Sequence, residues 1–493
     1  MKRFSILILT LALLVPYSCA DEGLEQLNPN DVSVGNFWSS EQDARLAVNG
    51  MFHPVANTFF WGRIVHTGAI LRSDVFDIVP FGTNTTMSTF QGGPGTARWA
   101  LEPWQELYKA VARANAILEN VTTGNVPDQG ARNEILGQAR FMRGFAYWYL
   151  LHLYGNVPLV VETVKGEEDF FPEQAAPSAV YAQIETDLAA AANELPQSWP
   201  ASDLGRPTSG AAIALLGKTQ LYQEKWSEAA ATFMRIMDGR YDLLPGSQFA
   251  DNFGVNNEYN EEEIFSLQYL GADNFAWGVD MSGVGNLGTY HIDYAPPTKS
   301  PDQGHVVNSW VKDLFEANGE EIRRNATLVY DYPGAEGYGG TDFATDFAGD
   351  IEVANNLGEE PIFTVKYAGL DLGVRDDVQF LGANVGNNWR IIRYADVLLM
   401  RAEALNESGD QAGAIALINQ VRERAGVDPI AGGLSQGEVR QAVIDERVLE
   451  LTGESHRFFD LVRWGLADDY LGSNSLHGDH PKKLSGGVFQ ANK

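Results

Sequence analysis

A chain of 493 residues, 44% hydrophobic and 20% charged, has the makeup of a soluble globular protein with a large core and room for two structural regions. Its 65 acidic against 35 basic residues give −30 at pH 7, a surface that repels nucleic acid and anionic lipid and excludes both as partners. The single cysteine excludes an internal disulfide and any cysteine-based metal cluster.

Residues 1–18 read as a signal sequence: Lys2-Arg3, the apolar run Phe4–Val15, then small and turn residues. The run is short for a membrane span. Cys19 stands where a bacterial lipoprotein is cleaved and acylated, with Ser18 before it, although Pro16 and Tyr17 replace the usual small aliphatic pair. Residues 19–37 read as an extended, lipidated tether. Ser39-Ser40-Glu41 offers a helix cap, and the helix it starts is expected to run to Pro54. A second helix is expected over Phe59–Leu71, ending in Arg72-Ser73-Asp74. Residues 77–100 are loop-like, rich in Thr, Gly and Asn, and carry Phe81, Phe90 and Trp99. Trp104–Val121 has amphipathic helical spacing.

From Phe141 to Tyr154 nearly every residue is apolar or aromatic. A helix greasy on all sides must be buried on all sides, so this stretch is expected at the centre of an all-helical core. Gly155 supplies the terminating turn, Pro158 blocks further helix, and Val157–Val161 is expected to leave as a strand. Arg140 and Arg143 share a face from which their forks reach a neighbour's carboxylate.

Helical pairs follow. Ser178–Leu195 lies between Pro177 and Pro196, and Thr208–Gln223 with Ser227–Met237 forms a hairpin. The stretch GKTQLYQEKWSEAAATF has the outline of a tetratricopeptide repeat, and Ala395–Arg424 repeats that outline through Ser408-Gly409-Asp410. Four pairs are expected in all: 104–155, 178–237, 391–425 and 436–470. Between the second and third lies a Gly-, Asn- and Asp-rich stretch, 241–388, in which only Ile264–Tyr269 and Pro361–Tyr367 look like strands. Loops of such length in a compact protein are usually functional.

Enzymatic motifs are absent: no His-Glu-x-x-His, no Gly-x-Ser-x-Gly, and histidines scattered singly. Carboxylates are plentiful on so acidic a chain, which gives a glycosidase pair no particular support. Asp251–Glu262 has oxygen ligands spaced faintly like a calcium loop, but its Gly and terminal Glu are misplaced, so it reads as a polar surface turn. No cofactor or metal is expected.

Three motif sets run through the chain in order. One is Arg140–Leu159, with aromatics leading to Tyr154-Gly155-Asn156-Val157-Pro158-Leu159. Another is Arg390-Ile391-Ile392-Arg393-Tyr394-Ala395-Asp396-Val397-Leu398-Leu399, followed by Asn419-Gln420-Val421-Arg422-Glu423-Arg424-Ala425-Gly426. The last is Glu446-Arg447 through Glu454-Ser455-His456-Arg457-Phe458-Phe459-Asp460-Leu461-Val462-Arg463-Trp464-Gly465. Together they resemble the SusD/RagB family, nutrient-binding lipoproteins of Bacteroidetes outer membranes, over nearly the whole mature chain.

That resemblance implies a mostly α, tetratricopeptide-like scaffold of about four helical pairs with a long irregular insert. The division is then 1–18 signal, 19–37 tether, 38–240 N-terminal helical region, 241–388 ligand-binding insert and 389–493 C-terminal helical region. It implies capture of an oligosaccharide (in some members a peptide) and its release into a SusC-like TonB-dependent transporter, with no covalent chemistry. It also makes Asp21-Glu22 look like the acidic tag of a lipoprotein facing the cell exterior.

Arg393, Glu403, Glu446, Arg447, Glu450, Arg457, Asp460 and Arg463 lie beside apolar helix residues, and are expected to hold helix to helix rather than to catalyse. Ligand binding is expected on a face built from the Asp74–Trp99 loop and the Trp277–Tyr338 part of the insert. There Asp74 and Asn84 would hydrogen-bond hydroxyls, and Trp99, Trp277 and Tyr290 would stack on sugar rings. A tetratricopeptide scaffold for other proteins and a surface glycosidase are the competing readings. Cys19 and the insert argue against the first, and the missing catalytic motif against the second.

Overall fold

The computed structural model describes residues 37–78, 87–88, 90, 97–269, 294, 305–333, 335, 343–357, 360–367 and 386–471. The leader, Cys19 and the tether up to residue 36 fall outside them.

Ser40 caps α1 (Glu41–Ala56), accepting from the Asp43 N–H at 3.3 Å, with Glu41 and Asp43 in the first turn. The helix does not stop at Pro54. Proline leaves the Gly50 carbonyl without its helical donor, and Arg113 donates to it instead at 2.5 Å. The second helix is shorter than expected: α2 is Ile64–Leu71, preceded by a turn. The next, α3 (Ala97–Asn120), begins well before Trp104 and carries Pro103 inside it.

The apolar stretch lies in α4 (Gln129–Tyr154), capped by Asp128, which accepts from the Ala131 N–H at 2.7 Å. Gly155, at φ 76°, ends it. Phe141–Leu151 is buried throughout, whereas His152, Leu153 and Tyr154 are half-buried. A Cβ on Gly144 would stand 3.0 Å from the Leu188 side chain, so glycine is what lets α5 (Pro177–Glu194) approach this closely. Arg143 grips Asp187 with two bonds of 2.7 and 2.8 Å, and Arg140 pairs with Glu194.

Residues 157–161 form no strand, only an isolated bridge between Pro158 and Gln174. Side chains of α3 and α4 take the segment's backbone groups. Tyr108 donates to the Pro158 carbonyl at 2.7 Å, Asn115 to Val160 at 3.0 Å, Arg143 to Val161 at 3.1 Å and Tyr147 to Val160 at 2.9 Å.

The stack continues through α6 (Ser209–Leu221) and α7 (Trp226–Met234), each helix packing on the one before. A Cβ on Gly217 would meet the Phe233 ring at 2.6 Å, so glycine again sets the close approach. Two strands, β1 (Phe76–Ile78) and β2 (Glu263–Leu267), precede the middle of the insert. Within the insert, β3 (His305–Val307) is followed by α8 (Ser309–Ala317), α9 (Ile322–Thr327) and β4 (Leu328–Val329). Then come α10 (Phe343–Asp346), α11 (Ala348–Leu357) and β5 (Phe363–Thr364). The insert is thus more regular than its composition suggests, and the expected strand at 361–367 shrinks to two residues.

Residues 391–393 were expected to begin a helix; instead Trp389–Arg393 is a strand, β6, antiparallel to β2 with Leu267 opposite Trp389. β4 pairs with β5 and β1 with β3, Phe76 opposite Val307. Behind the insert the stack resumes with α12 (Tyr394–Glu407), which packs on α7, then α13 (Gln411–Ala425) and α14 (Gln436–Leu451). Two short helices follow, α15 (Arg457–Arg463) and α16 (Ala467–Leu471). The protein is mostly α, a tetratricopeptide-like run of helical pairs. Among the described residues no helix is long and apolar enough to cross a membrane.

Buried charge ties insert to stack. Arg393 meets Glu262, Glu450 and Glu454; Arg323 meets Glu320, Glu446 and Glu450. Arg424 joins Glu262 to Glu450, Arg422 holds Glu446 at 3.0 Å and Lys366 holds Glu454 at 2.9 Å. Five cations therefore meet five carboxylates, their side chains nearly all covered, and such a balance offsets the desolvation that an unmatched ion would incur. Burial opposes ionisation of Glu450, but Arg424, Arg393 and Arg323 hold it well below the usual carboxylate range. Burial pushes Lys366 down to about 8 against the pull of Glu454. A second cluster joins Arg447 to Asp396 at 2.7 Å and to Asp460 at 2.8 Å, with Arg463 on Asp460 and Glu403. Arg447, Asp460, Arg463, Glu403, Glu446 and Glu450 hold elements together as expected, whereas Arg393 does so from strand β6 rather than from a helix. Glu262, read as part of a surface turn, instead points inward: beyond its two arginines it accepts from the Leu244 N–H at 3.0 Å and from Asn252 at 3.1 Å.

Candidate functional site

The two segments expected to share a face meet through backbone. β1 continues the Arg72–Val75 turn and pairs with β3, and the Asp74 carbonyl accepts from Asn308 at 2.5 Å and from the Trp310 indole at 2.9 Å. Asp74 itself is 2% exposed. Its carboxylate is held at 2.9 and 2.8 Å by the Arg457 fork, so both oxygens face α15 rather than a surface. Arg457 also lies 5.7 Å from the Trp310 ring and 5.0 Å from the Tyr470 ring. Asp74 is therefore a tie between α2, α8 and α15. Asn84, Trp277 and Tyr290 lie outside the described residues.

Trp99, the remaining residue of the expected set, is half-buried in the first turn of α3. It packs against Leu71 and Met87, and it lines a cleft of about 560 Å³ including the open mouth. That size is within the range of small-ligand sites. Arg72, Met87, Tyr154, Phe458 and Phe459 share the walls. Each comes from a different part of the chain: Arg72 follows α2, Tyr154 ends the core helix, and the two phenylalanines open α15. Tyr154 donates to the Ala100 carbonyl at 2.7 Å, which fixes its ring, and burial pushes its hydroxyl well above the usual range. It stays a neutral donor or acceptor.

Arg72, Met87, Tyr154 and Phe458 were not singled out from sequence for binding. The apolar run reads as core to its last residue, Tyr154, so the sequence carried no signal that its end lines a cavity. Chemically the cleft offers aromatic faces, a thioether and one guanidinium. No nucleophile with a base beside it lines it, and among the described residues no three His, Asp, Glu or Cys side chains are placed to hold a metal ion.

A larger groove of about 1000 Å³, open to solvent, is lined by Trp199, Arg206, Arg240, Tyr241 and Tyr259 among others. Its cations are taken: Arg206 by Asp203 at 2.7 Å and Arg240 by Asp238 at 2.8 Å. The Tyr259 hydroxyl donates to Gln268 at 2.5 Å. The Trp99 cleft is the better candidate, because its cation has no such partner.

A family model described as the SusD family matches residues 261–483, and one described as starch-binding associating with outer membrane matches residues 94–221. The SusD-like protein P25 of Formosa agariphila is 28% identical over 493 residues, which cover 96% of this chain and 92% of that protein. Among solved structures, a SusD superfamily protein from Bacteroides vulgatus aligns with a TM-score of 0.75 at 26% identity, covering 90% of this chain and 92% of the other. A laminarin-binding SusD-like protein aligns with a TM-score of 0.71 at 26% identity, over 90% and 96% of the two chains.

Proposed function

The chain belongs to the SusD/RagB family, and from that premise we propose that it is a glycan-binding lipoprotein of the outer membrane that captures an oligosaccharide and passes it to a SusC-like TonB-dependent transporter. The observation that carries the binding role is the Trp99 cleft. A half-buried indole beside Tyr154 and Phe458 gives apolar faces on which sugar rings stack. Similarity to a laminarin-binding protein and to a starch-binding family description supports glycan as the ligand class. Cys19 supplies the anchor, and more than one acyl chain there would hold the protein stably at the membrane. Asn84, Trp277 and Tyr290 are proposed as further ligand contacts.

Capture by stacking and hydrogen bonding needs no bond to break, and its expected affinity is on the order of micromolar. Trp99→Ala should weaken binding of the cognate glycan tenfold or more with little change in melting temperature, read by calorimetry and thermal denaturation on the same preparation. Undiminished affinity in that variant would move the site elsewhere on the molecule.

A further inference from the structure

The cleft wall carries a cation that no acid among the described residues answers. In the clusters around Glu450 and Asp460 the buried arginines and lysines are matched by carboxylates. Arg72 departs from that rule. Its guanidinium lies 5.8 Å from the centre of the Phe458 ring and 5.9 Å from that of Phe90, and one terminal nitrogen donates to the Met87 sulfur at 3.7 Å. Its Nε is buried with no hydrogen-bond partner. Among the described residues no carboxylate stands within ion-pairing reach of it.

Rings and a thioether hold the guanidinium plane in position, but they return little of the hydration that the charge gives up. Desolvation accordingly lowers its proton affinity, with only the Tyr154 hydroxyl acting the other way. An arginine stays charged under that pressure. A positioned, charged and unanswered fork at the wall of an open cleft is half of an ion pair.

We propose that Arg72 is the anion-recognising residue of the Trp99 cleft, which takes an oligosaccharide bearing a carboxylate or sulfate group in preference to a neutral one. This rests on the reading of the cleft as a glycan site. The overall charge of −30 does not oppose it at short range. At physiological ionic strength fields between exposed charges fade over about 8 Å, so the local cation decides inside the cleft while the acidic surface disfavours anions elsewhere. A site built around an unpaired charge also rejects a neutral ligand, because that ligand leaves the charge unpaired.

The alternative role for Arg72 is packing between Phe90 and Phe458, and methionine would fill the same slot without charge. The test uses the full-length protein in detergent and three probes of matched length: an oligogalacturonate, a sulfated carrageenan oligosaccharide and a neutral laminari-oligosaccharide. At least one charged probe should bind tenfold or more tighter than the neutral one, and the arm that binds identifies carboxylate or sulfate. Arg72→Met should erase that preference while keeping the parent's melting temperature, and Arg72→Lys should restore part of it. If the methionine variant melts early, Arg72→Gln serves as the second uncharged form, with the same expected loss. Retention of the charged probe's affinity in the uncharged variant overturns the proposal. Binding of the neutral probe alone overturns the anion assignment and leaves the glycan reading standing, whereas binding of none overturns both.

Discussion

His152 and His456 show how single residues set the conditions under which the protein is stable. Burial pushes both down to about 4, with the positive charge of Lys218 acting in the same direction. In the unfolded chain a histidine takes its proton near 6.5. Between those values the unfolded state binds more protons, so stability falls as pH falls, by about 1.4 kcal/mol per unit for each histidine. Denaturant titrations from pH 7 to 4.5 should show this decline starting near 6.5, and His152→Gln should roughly halve the slope. A flat profile would mean that both rings accept protons in the folded state. Glu450 and Glu454, whose folded values are depressed, act lower still: their contribution is lost only as pH drops through those depressed values. Asp74 marks the limit of reading residues singly. Its sequence neighbour Arg72 is the obvious partner, yet its carboxylate goes to Arg457, 383 positions away.

At the level of elements, the helices were legible where caps and spacing agree. Ser435 and Glu438 form a reciprocal capping box at the start of α14, and Asp410 caps α13 just after Gly409 at φ 96°. The insert helices were not legible, because the residues that would announce them serve tertiary contacts instead. Asn308 stands at the N-terminus of α8 but makes no cap; its amide donates to Asp74. The strand β6 was hidden for a different reason: its five residues are all buried, so no alternation of polar and apolar positions remained to read. The charged motifs gave the ties between helices but not their density. Glu450→Gln would leave Arg323, Arg393 and Arg424 sharing one fewer charge in a dry interior, and should cost about 3–5 kcal/mol. Equilibrium unfolding in urea measures it, and a loss below 1 kcal/mol would show that water reaches the cluster.

For the whole molecule, the question is where it is held. Cys19→Ala should move the protein from the membrane fraction to the soluble periplasm, and unchanged fractionation would leave the anchor to another feature. Among the described residues no helix is long and apolar enough to cross a membrane.

The Arg457–Asp74 tie also bears on how the protein is made. It joins the beginning of the folded body to its end, as does the bond from Ser455 to the His66 carbonyl across 389 positions. Neither can form until the last helices have left the ribosome. At about 5–20 residues per second, a chain of 493 residues takes roughly 25–100 s to synthesise. Through most of that interval the N-terminal half lacks the contacts that complete it, and closing such distant pairs is slow in itself. For any chain that is exported through a translocon, such a delay keeps the polypeptide loose enough to be threaded before distant ties lock it.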